Sequence, residues 1–365
     1  KVHLLTFEPR LQYEWNEDEV TRQREQLSTQ GIYWSCLPYH KSPSVPATAY
    51  DILAGARFAV QLVRREGLDV LHARAHVPMA MALLARRFVR CRLVFDFRGL
   101  MADEYADAGV WTEQSPIFRA VKMIERAGFR RANQVIVLTQ RMRDWLIHRQ
   151  LKKADQIEVI PCCVDRARFE RSRGDPIEIT AQSVAADRFE VVYAGSLIGL
   201  YLVEEMGRFF TALKALRPDA FLRILSVTPS APGAAALKRA GLNENDFKIS
   251  SAAPGDVSAI LKRARLGISF RKSAFSQIAA SPTKIPEYLA AGLPIVSNQG
   301  IGDIDELLMS ERVGVGVTDF DSESLANAVA SALALAAEPG IAERCREVAQ
   351  RRFDLDTVGG ARYLT

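Results

Sequence analysis

The chain has 365 residues, 48% hydrophobic and 25% charged, with a formal net charge of +5; that balance suits an ordinary soluble protein long enough for two domains. No apolar run approaches the roughly 18–20 residues of a membrane span, and Val2–Phe7 is strand-length, ends at Glu8-Pro9 and does not read as a secretory signal. Five cysteines without a CxxC pair argue for a reducing, cytoplasmic compartment and against a disulfide or zinc framework.

Short apolar strands alternate with longer helical patterns, which is the signature of parallel α/β layers. Strands are predicted at 2–7, 31–36, 69–72, 92–97, 134–138 and 157–160, with helices at about 17–29, 47–66, 78–88, 115–131 and 140–149. A second set of strands follows at 190–195, 221–225, 247–249, 266–270, 294–297 and 314–317. Between the sets, polar residues around Gly174-Asp175-Pro176 mark a linker. The expected architecture is α/β, with two Rossmann-like doubly wound parallel-sheet domains facing across a cleft and ligands at the C-terminal strand ends.

The stretch Ser281-Pro282-Thr283-Lys284-Ile285-Pro286-Glu287 through Gly292-Leu293-Pro294 reads as a helix start aimed at an anion. Ser281 suits an N-cap and Pro282 the first helical position. Lys284 and Glu287 share one face near the positive end of the helix dipole. Gly292 and Pro294 then stop the helix and launch a strand. Amides, hydroxyls, a lysine and a carboxylate on one tip suit phosphates at the N-terminus and a ribose diol at Glu287. Without a ligand, Ser281 is a plain cap and Glu287 a surface partner of Lys284.

Gly195-Ser196 end the first strand of the second set, where backbone approaches a diphosphate closely or simply turns. Arg271-Lys272 follow the strand ending at Phe270, as phosphate helpers or as a surface pair. The loop Asn298–Asp303 follows the next strand and is expected at the same cleft. In the first half, Asp96, Arg98, Asp103 and Glu104 cluster after a strand, and Arg74 is expected to reach the cleft. His72 and His76 have a metal-like look but fall on opposite sides of a strand end, so no metal site is assigned. Tyr13 and Trp15 suit acceptor or lipid contact, or ordinary surface.

Residues 1–170 carry 26 basic and 20 acidic side chains, against 22 and 23 in the remainder. A basic first half suits an anionic membrane surface as partner, or else a solvated arginine-rich face; Arg119, Lys122, Arg126, Arg130 and Arg131 make one helix strongly basic. No recognised nucleic-acid module appears, so no nucleic-acid partner is expected.

Gly195-Ser196-Leu197, the 281–294 block, and Ile160-Pro161-Cys162-Cys163-Val164-Asp165 with Phe169 resemble the retaining nucleotide-sugar glycosyltransferases of family four, which have the GT-B fold. The resemblance implies an N-terminal acceptor-side domain at 1–170, a linker at 171–188, a nucleotide-sugar donor domain at 189–350, and a C-terminal helix at 351–365 crossing back toward the first domain. It implies sugar transfer with retention from a nucleoside diphosphate sugar to a saccharide, lipid-linked or other hydroxyl acceptor. No metal or other cofactor is expected beyond that co-substrate.

Glu287 matches the second of two family glutamates, whereas Ala279 stands at the first. The family's arginine and lysine after the first strand of the second domain are replaced by Ser196–Tyr201, and a common histidine by Arg98. The expected donor set is therefore Gly195, Ser196, Ser281, Thr283, Lys284 and Glu287. Arg98, Lys284 and Arg271 are placed nearest the chemistry, and Arg74, Asp96 and Asp103 on the acceptor side. Polysaccharide, lipopolysaccharide or other glycoconjugate synthesis, peripheral to the inner membrane face, is the expected setting. A nucleotide-sugar epimerase or hydrolase, and a degenerate non-catalytic partner, are the alternatives.

Overall fold

A computed structural model describes residues 1–9, 15–171 and 188–364. Tyr13, and all but the ends of the expected linker at 171–188, lie outside them. The chain divides into two compact units, Lys1–Phe97 with Ala120–Ile136, and Arg98–Arg119 with Val137–Thr365.

The first unit opens with β1 (Val2–Glu8), α1 (Glu17–Ser28), β2 (Ile32–Pro38) and α2 (Ser44–Glu66). It continues through β3 (Val70–Arg74), α3 (His76–Ala85) and β4 (Arg92–Asp96). β1 and β2 pair in parallel as a separate two-stranded sheet, with Val2 opposite Ile32. α4 (Met101–Asp107), α5 (Pro116–Arg131) and β5 (Gln134–Val137) follow. β3, β4 and β5 are successive parallel neighbours. Asn16 starts α1 with a capping box closed by Glu19, so the acidic first turn Glu17–Glu19 meets the positive end of the helix.

The second unit contains α6 (Gln140–His148), β6 (Ile157–Val159) and α7 (Arg166–Arg171), then β7 (Glu190–Ala194), α8 (Val203–Leu216), β8 (Phe221–Leu225), α9 (Ser230–Arg239) and β9 (Phe247–Ser250). After these come α10 (Val257–Leu261), β10 (Leu266–Ser269), α11 (Lys284–Ala291), β11 (Ile295–Asn298), α12 (Ile304–Glu311), β12 (Gly314–Val317), α13 (Ser322–Ala337) and α14 (Ile341–Phe353). β7–β12 form one sheet in the order β12-β11-β10-β7-β8-β9, and the pairings are parallel. Counted from β7, that is the 3-2-1-4-5-6 order of a dinucleotide-binding sheet, which reverses direction between its first and fourth strands. One apolar layer packs α8, α9 and α13 on the sheet, around Phe209, Phe210 and Leu213. The opposite layer packs α11, α12 and α14, around Leu289, Leu308 and Val348. Strands covered on both faces read as unbroken apolar runs, as Val191-Val192-Tyr193 does.

Two expectations need correction here. The stretch 98–119, expected as part of a linear first domain, packs with the second unit, where the Ser276 amide meets Asp107 Oδ2 at 3.4 Å. Residues 137–170 do the same, and Thr139 Oγ1 donates to the Ile278 carbonyl. Past α14 the expected C-terminal helix is interrupted at Asp354 and resumes as a six-residue π-helix, Leu355–Gly360, running into a short helical end at Ala361–Tyr363. It lies along the 159–166 segment: the Val164 amide donates to the Phe353 carbonyl at 2.8 Å, Leu355 returns a bond to Val164 at 3.1 Å, and Arg362 reaches the Val159 carbonyl at 2.7 Å.

Candidate functional site

Ligands of such sheets bind outside the C-terminal strand ends, at the point where strand order reverses. Here that point lies between β7 and β10, whose ends deliver Gly195-Ser196 and Phe270-Arg271 respectively. α11 points into the same place. Tyr288 fixes it there: its hydroxyl accepts the Ala194 amide at 2.8 Å and donates to the Ile268 carbonyl at 3.3 Å. Its ring lies on Gly267, where a Cβ would come within 2.4 Å. One side chain thus binds the helix to both strands that flank the reversal.

Lys284, in the first turn of α11, is only 4% exposed, and its Nζ has no hydrogen-bond partner among the described residues. Nζ sits 4.1 Å from the centroid of the Tyr193 ring and 4.5 Å from that of Tyr201. Burial, with the neighbouring Arg271 charge adding to it and Glu287 opposing, pushes its pKa down to about 7. Above it lies Gly195, with a φ of +147° that L side chains rarely adopt, and so close that a Cβ there would come within 2.7 Å of Nζ. The arrangement is a buried cation faced by two rings but by no hydrogen-bond acceptor among the described residues, beneath a bare stretch of backbone, which favours an arriving anion.

Glu287 lies one turn further along α11 and is half-buried. Burial pushes its carboxyl up, while Arg168 and Lys284 pull the other way. The surface pairing with Lys284 is absent. Arg271 is held by Asn298, whose Oδ1 accepts the Arg271 amide and whose Nδ2 donates to the Arg271 carbonyl, both at 2.8 Å. Its neighbour Lys272 turns away to donate to the Asp107 carbonyl at 2.7 Å.

Ser281 is not the N-cap. The helix begins at Lys284, with Thr283 in the cap position and making no side-chain cap bond. The reason is Pro286. A helix starting at Pro282 would need the amide of residue 286 to reach the carbonyl of 282, and proline has none to give. The Ile285 amide takes that carbonyl instead, at 3.1 Å. Ser281 Oγ accepts the Cys162 amide at 3.1 Å, and exposed Thr283 and half-buried Ser196 stay at the site's rim. Gly292 ends the helix in the left-handed conformation, as expected.

Asp303 in the loop after β11 serves α6 rather than the reversal point, accepting the amides of Gln140 at 2.6 Å and Arg141 at 3.1 Å. A cavity of about 580 Å³ opens beside it, walled by Thr139, Ser281, Asp303 and Arg352 among others, but not by Lys284, Glu287 or Arg271. Its walls already pair among themselves, as Arg352 with Glu306 at 2.9 Å shows. Arg98 Nη2 lies 3.6 Å from Cys162 Sγ, and Asp103 stands in the first turn of α4. In the first unit, Asp96 is buried with Arg74 Nη1 and His72 Nε2 at 3.9 and 3.8 Å. His76 is sealed at 2% exposure against Glu125, 3.3 Å away. All five cysteines are unbridged.

Residues 9–168 match the model of Glycosyltransferase Family 4. Solved structures superpose along the whole chain. Sucrose-phosphate synthase from Thermosynechococcus elongatus does so with a TM-score of 0.67 at 16% identity, covering 100% of this chain and 98% of that one. WaaG, a glycosyltransferase involved in lipopolysaccharide biosynthesis, gives 0.65 at 16%, covering 100% and 98%. Anabaena HepE, in complex with UDP-glucose, gives 0.64 at 16%, covering 100% and 99%. The fold is GT-B. No curated protein sequence matches the chain.

In this GT-B chain three tyrosines that shape the site around its cations had no role in the sequence-based expectation, whereas Asn298 lies in the loop expected there. Tyr193, Tyr201 and Tyr288 act through contacts made across the sheet, which no local pattern encodes. The one available signal was Tyr193, an aromatic with a hydroxyl inside an otherwise apolar strand, since a buried hydroxyl needs a partner. It finds one in the Ser196 carbonyl.

Proposed function

We propose that this chain is a retaining, metal-independent glycosyltransferase of family four, of the hexosyltransferase type. It would move a sugar from a nucleoside diphosphate donor to a saccharide, lipid-linked or other hydroxyl acceptor in glycoconjugate synthesis. The observation that carries the reading is Lys284, a buried ammonium without a hydrogen-bonding partner among the described residues, beneath Gly195 at the strand-order reversal. The family match over 9–168 and the neighbour crystallised with UDP and with UDP-glucose support it.

Departure of the diphosphate develops negative charge where Lys284 and Arg271 already stand, so the positive charge is preorganised. Glu287 would accept the two ribose hydroxyls, with Gly195, Ser196 and Thr283 offering amides or hydroxyls around the phosphates. Arg98 would reach the reacting sugar or its phosphate, and Arg74, Asp96 and Asp103 would face the acceptor. The leaving phosphate would itself take the acceptor proton, so no separate base is assigned. The basic helix α5 exposes Arg119, Arg126, Arg130 and Arg131 beside Met123, a face that suits an anionic membrane surface.

An epimerase or hydrolase would need His72 or His76 at the sugar; burial of His76 against Glu125 speaks against it, and His72 is drawn to the buried Asp96, 3.8 Å away. A panel of nucleotide sugars screened by thermal shift tests the proposal. At least one should raise the melting temperature, as mass action requires of a ligand bound to the folded state, and should then be consumed on adding an acceptor. A panel that shifts nothing contradicts the donor reading; binding without transfer points to the degenerate alternative.

A further inference from the structure

Tyr201 lies in the loop between β7 and α8 and is only half-buried, yet the backbone around it is closely fastened. It forms an isolated antiparallel bridge with Arg271. On either side, the Lys272 amide donates to the Leu200 carbonyl at 2.7 Å, and the Leu202 amide to the Phe270 carbonyl at 3.3 Å. The loop is thereby stitched to the strand end that carries Arg271. Two cations then meet at one ring: Lys284 Nζ is 4.5 Å from the Tyr201 centroid and the Arg271 guanidinium carbon is 5.0 Å away. Tyr193 and Tyr201 pack edge to face, their centroids 6.2 Å apart, so Lys284 rests in a corner made by two rings.

The charged groups around Lys284 are Arg271, at the end of β10, and Glu287, on α11 itself; the elements packed from the other side contribute the rings of Tyr193 and Tyr201. Like charge and burial both oppose the ammonium, whereas the negative faces of the rings favour it. Two cations collected at one point match an anion with at least two charged groups, which neutralises both at once.

We propose that Tyr201 is a positioning residue of the donor site, whose ring gathers Lys284 and Arg271 into a two-cation clamp for a diphosphate. The clamp rests on the donor reading above and adds to it the element that holds the cations together. Titration calorimetry of UDP and of inorganic pyrophosphate across neutral pH tests it, with wild type, Tyr201→Phe, Tyr201→Leu and Tyr201→Gln compared. The phenylalanine variant keeps the ring face and should bind like wild type. The leucine and glutamine variants should bind both ligands about tenfold more weakly. Their binding should also be lost at a lower pH, because the ammonium has lost a face that favours it. Circular dichroism identifies variants that fold, and the glutamine variant serves if the leucine one does not. Unchanged affinity and pH midpoint in a folded variant overturn the role of Tyr201 while leaving the donor reading intact. A wild-type protein that binds neither UDP nor inorganic pyrophosphate overturns the donor reading and the clamp together.

Discussion

Lys284 holds an ammonium where folding disfavours it. Its pKa is pushed down to about 7, whereas an unfolded chain holds the same proton until about 10.4. The unfolded state therefore binds more protons between those values, and stability rises with pH across that window. Below it the ammonium is a standing destabilisation. Lys284→Met should accordingly melt a few degrees higher than wild type at neutral pH while losing diphosphate binding; a lower melting point would show that the ammonium is compensated. In wild type, UDP affinity should fall as pH rises through about 7, with proton uptake visible as a buffer-dependent heat of binding. Glu287→Ala should lose about 2–3 kcal/mol, weakening donor binding on the order of 30–150-fold. Titration showing unchanged affinity in the folded variant would refute the ribose role.

At the scale of elements, α11 is aimed by contacts of small against large. Gly267 receives the Tyr288 ring, and a Cβ there would lie 2.4 Å from it. Because that contact is with a fully buried ring, Gly267→Ala should destabilise by about 1–3 kcal/mol in chemical denaturation and shift the proposed donor site with it. The strands of the second unit were legible because parallel strands covered on two faces are short apolar runs bounded by turns, and those of the first, though β1–β3 are largely exposed or half-buried, because each is a short apolar run ending at a turn. The start of α11 was misread because Pro286 acts four residues from the position it decides, and Ser281 looked like a cap only while that was ignored. α4 was not legible at all: Met-Ala-Asp-Glu-Tyr-Ala-Asp has one buried residue, Ala102, too little to show a helical period. The tyrosine corner around Lys284 escaped for a different reason, since residues 193, 201 and 284 meet only after the sheet is assembled.

At the scale of the molecule, the strand order of the second unit decides where a ligand can sit, and the tail beyond α14 closes that unit on the 159–166 segment. Asp354 anchors the tail, accepting the amides of Thr357 at 2.8 Å and Asp356 at 3.1 Å and pairing with Arg166 at 3.3 Å. Asp354→Ala should cost about 1–3 kcal/mol and open the chain to proteolysis near residue 354, read by limited digestion; an unchanged digest would show that the tail is held by packing alone. The most direct test of the whole account is a crystal structure with UDP bound. The account requires the diphosphate against Gly195 within hydrogen-bonding reach of Lys284, with the ribose on Glu287. UDP settled instead in the cavity beside Thr139 and Arg352, with Lys284 still unpartnered, would contradict it.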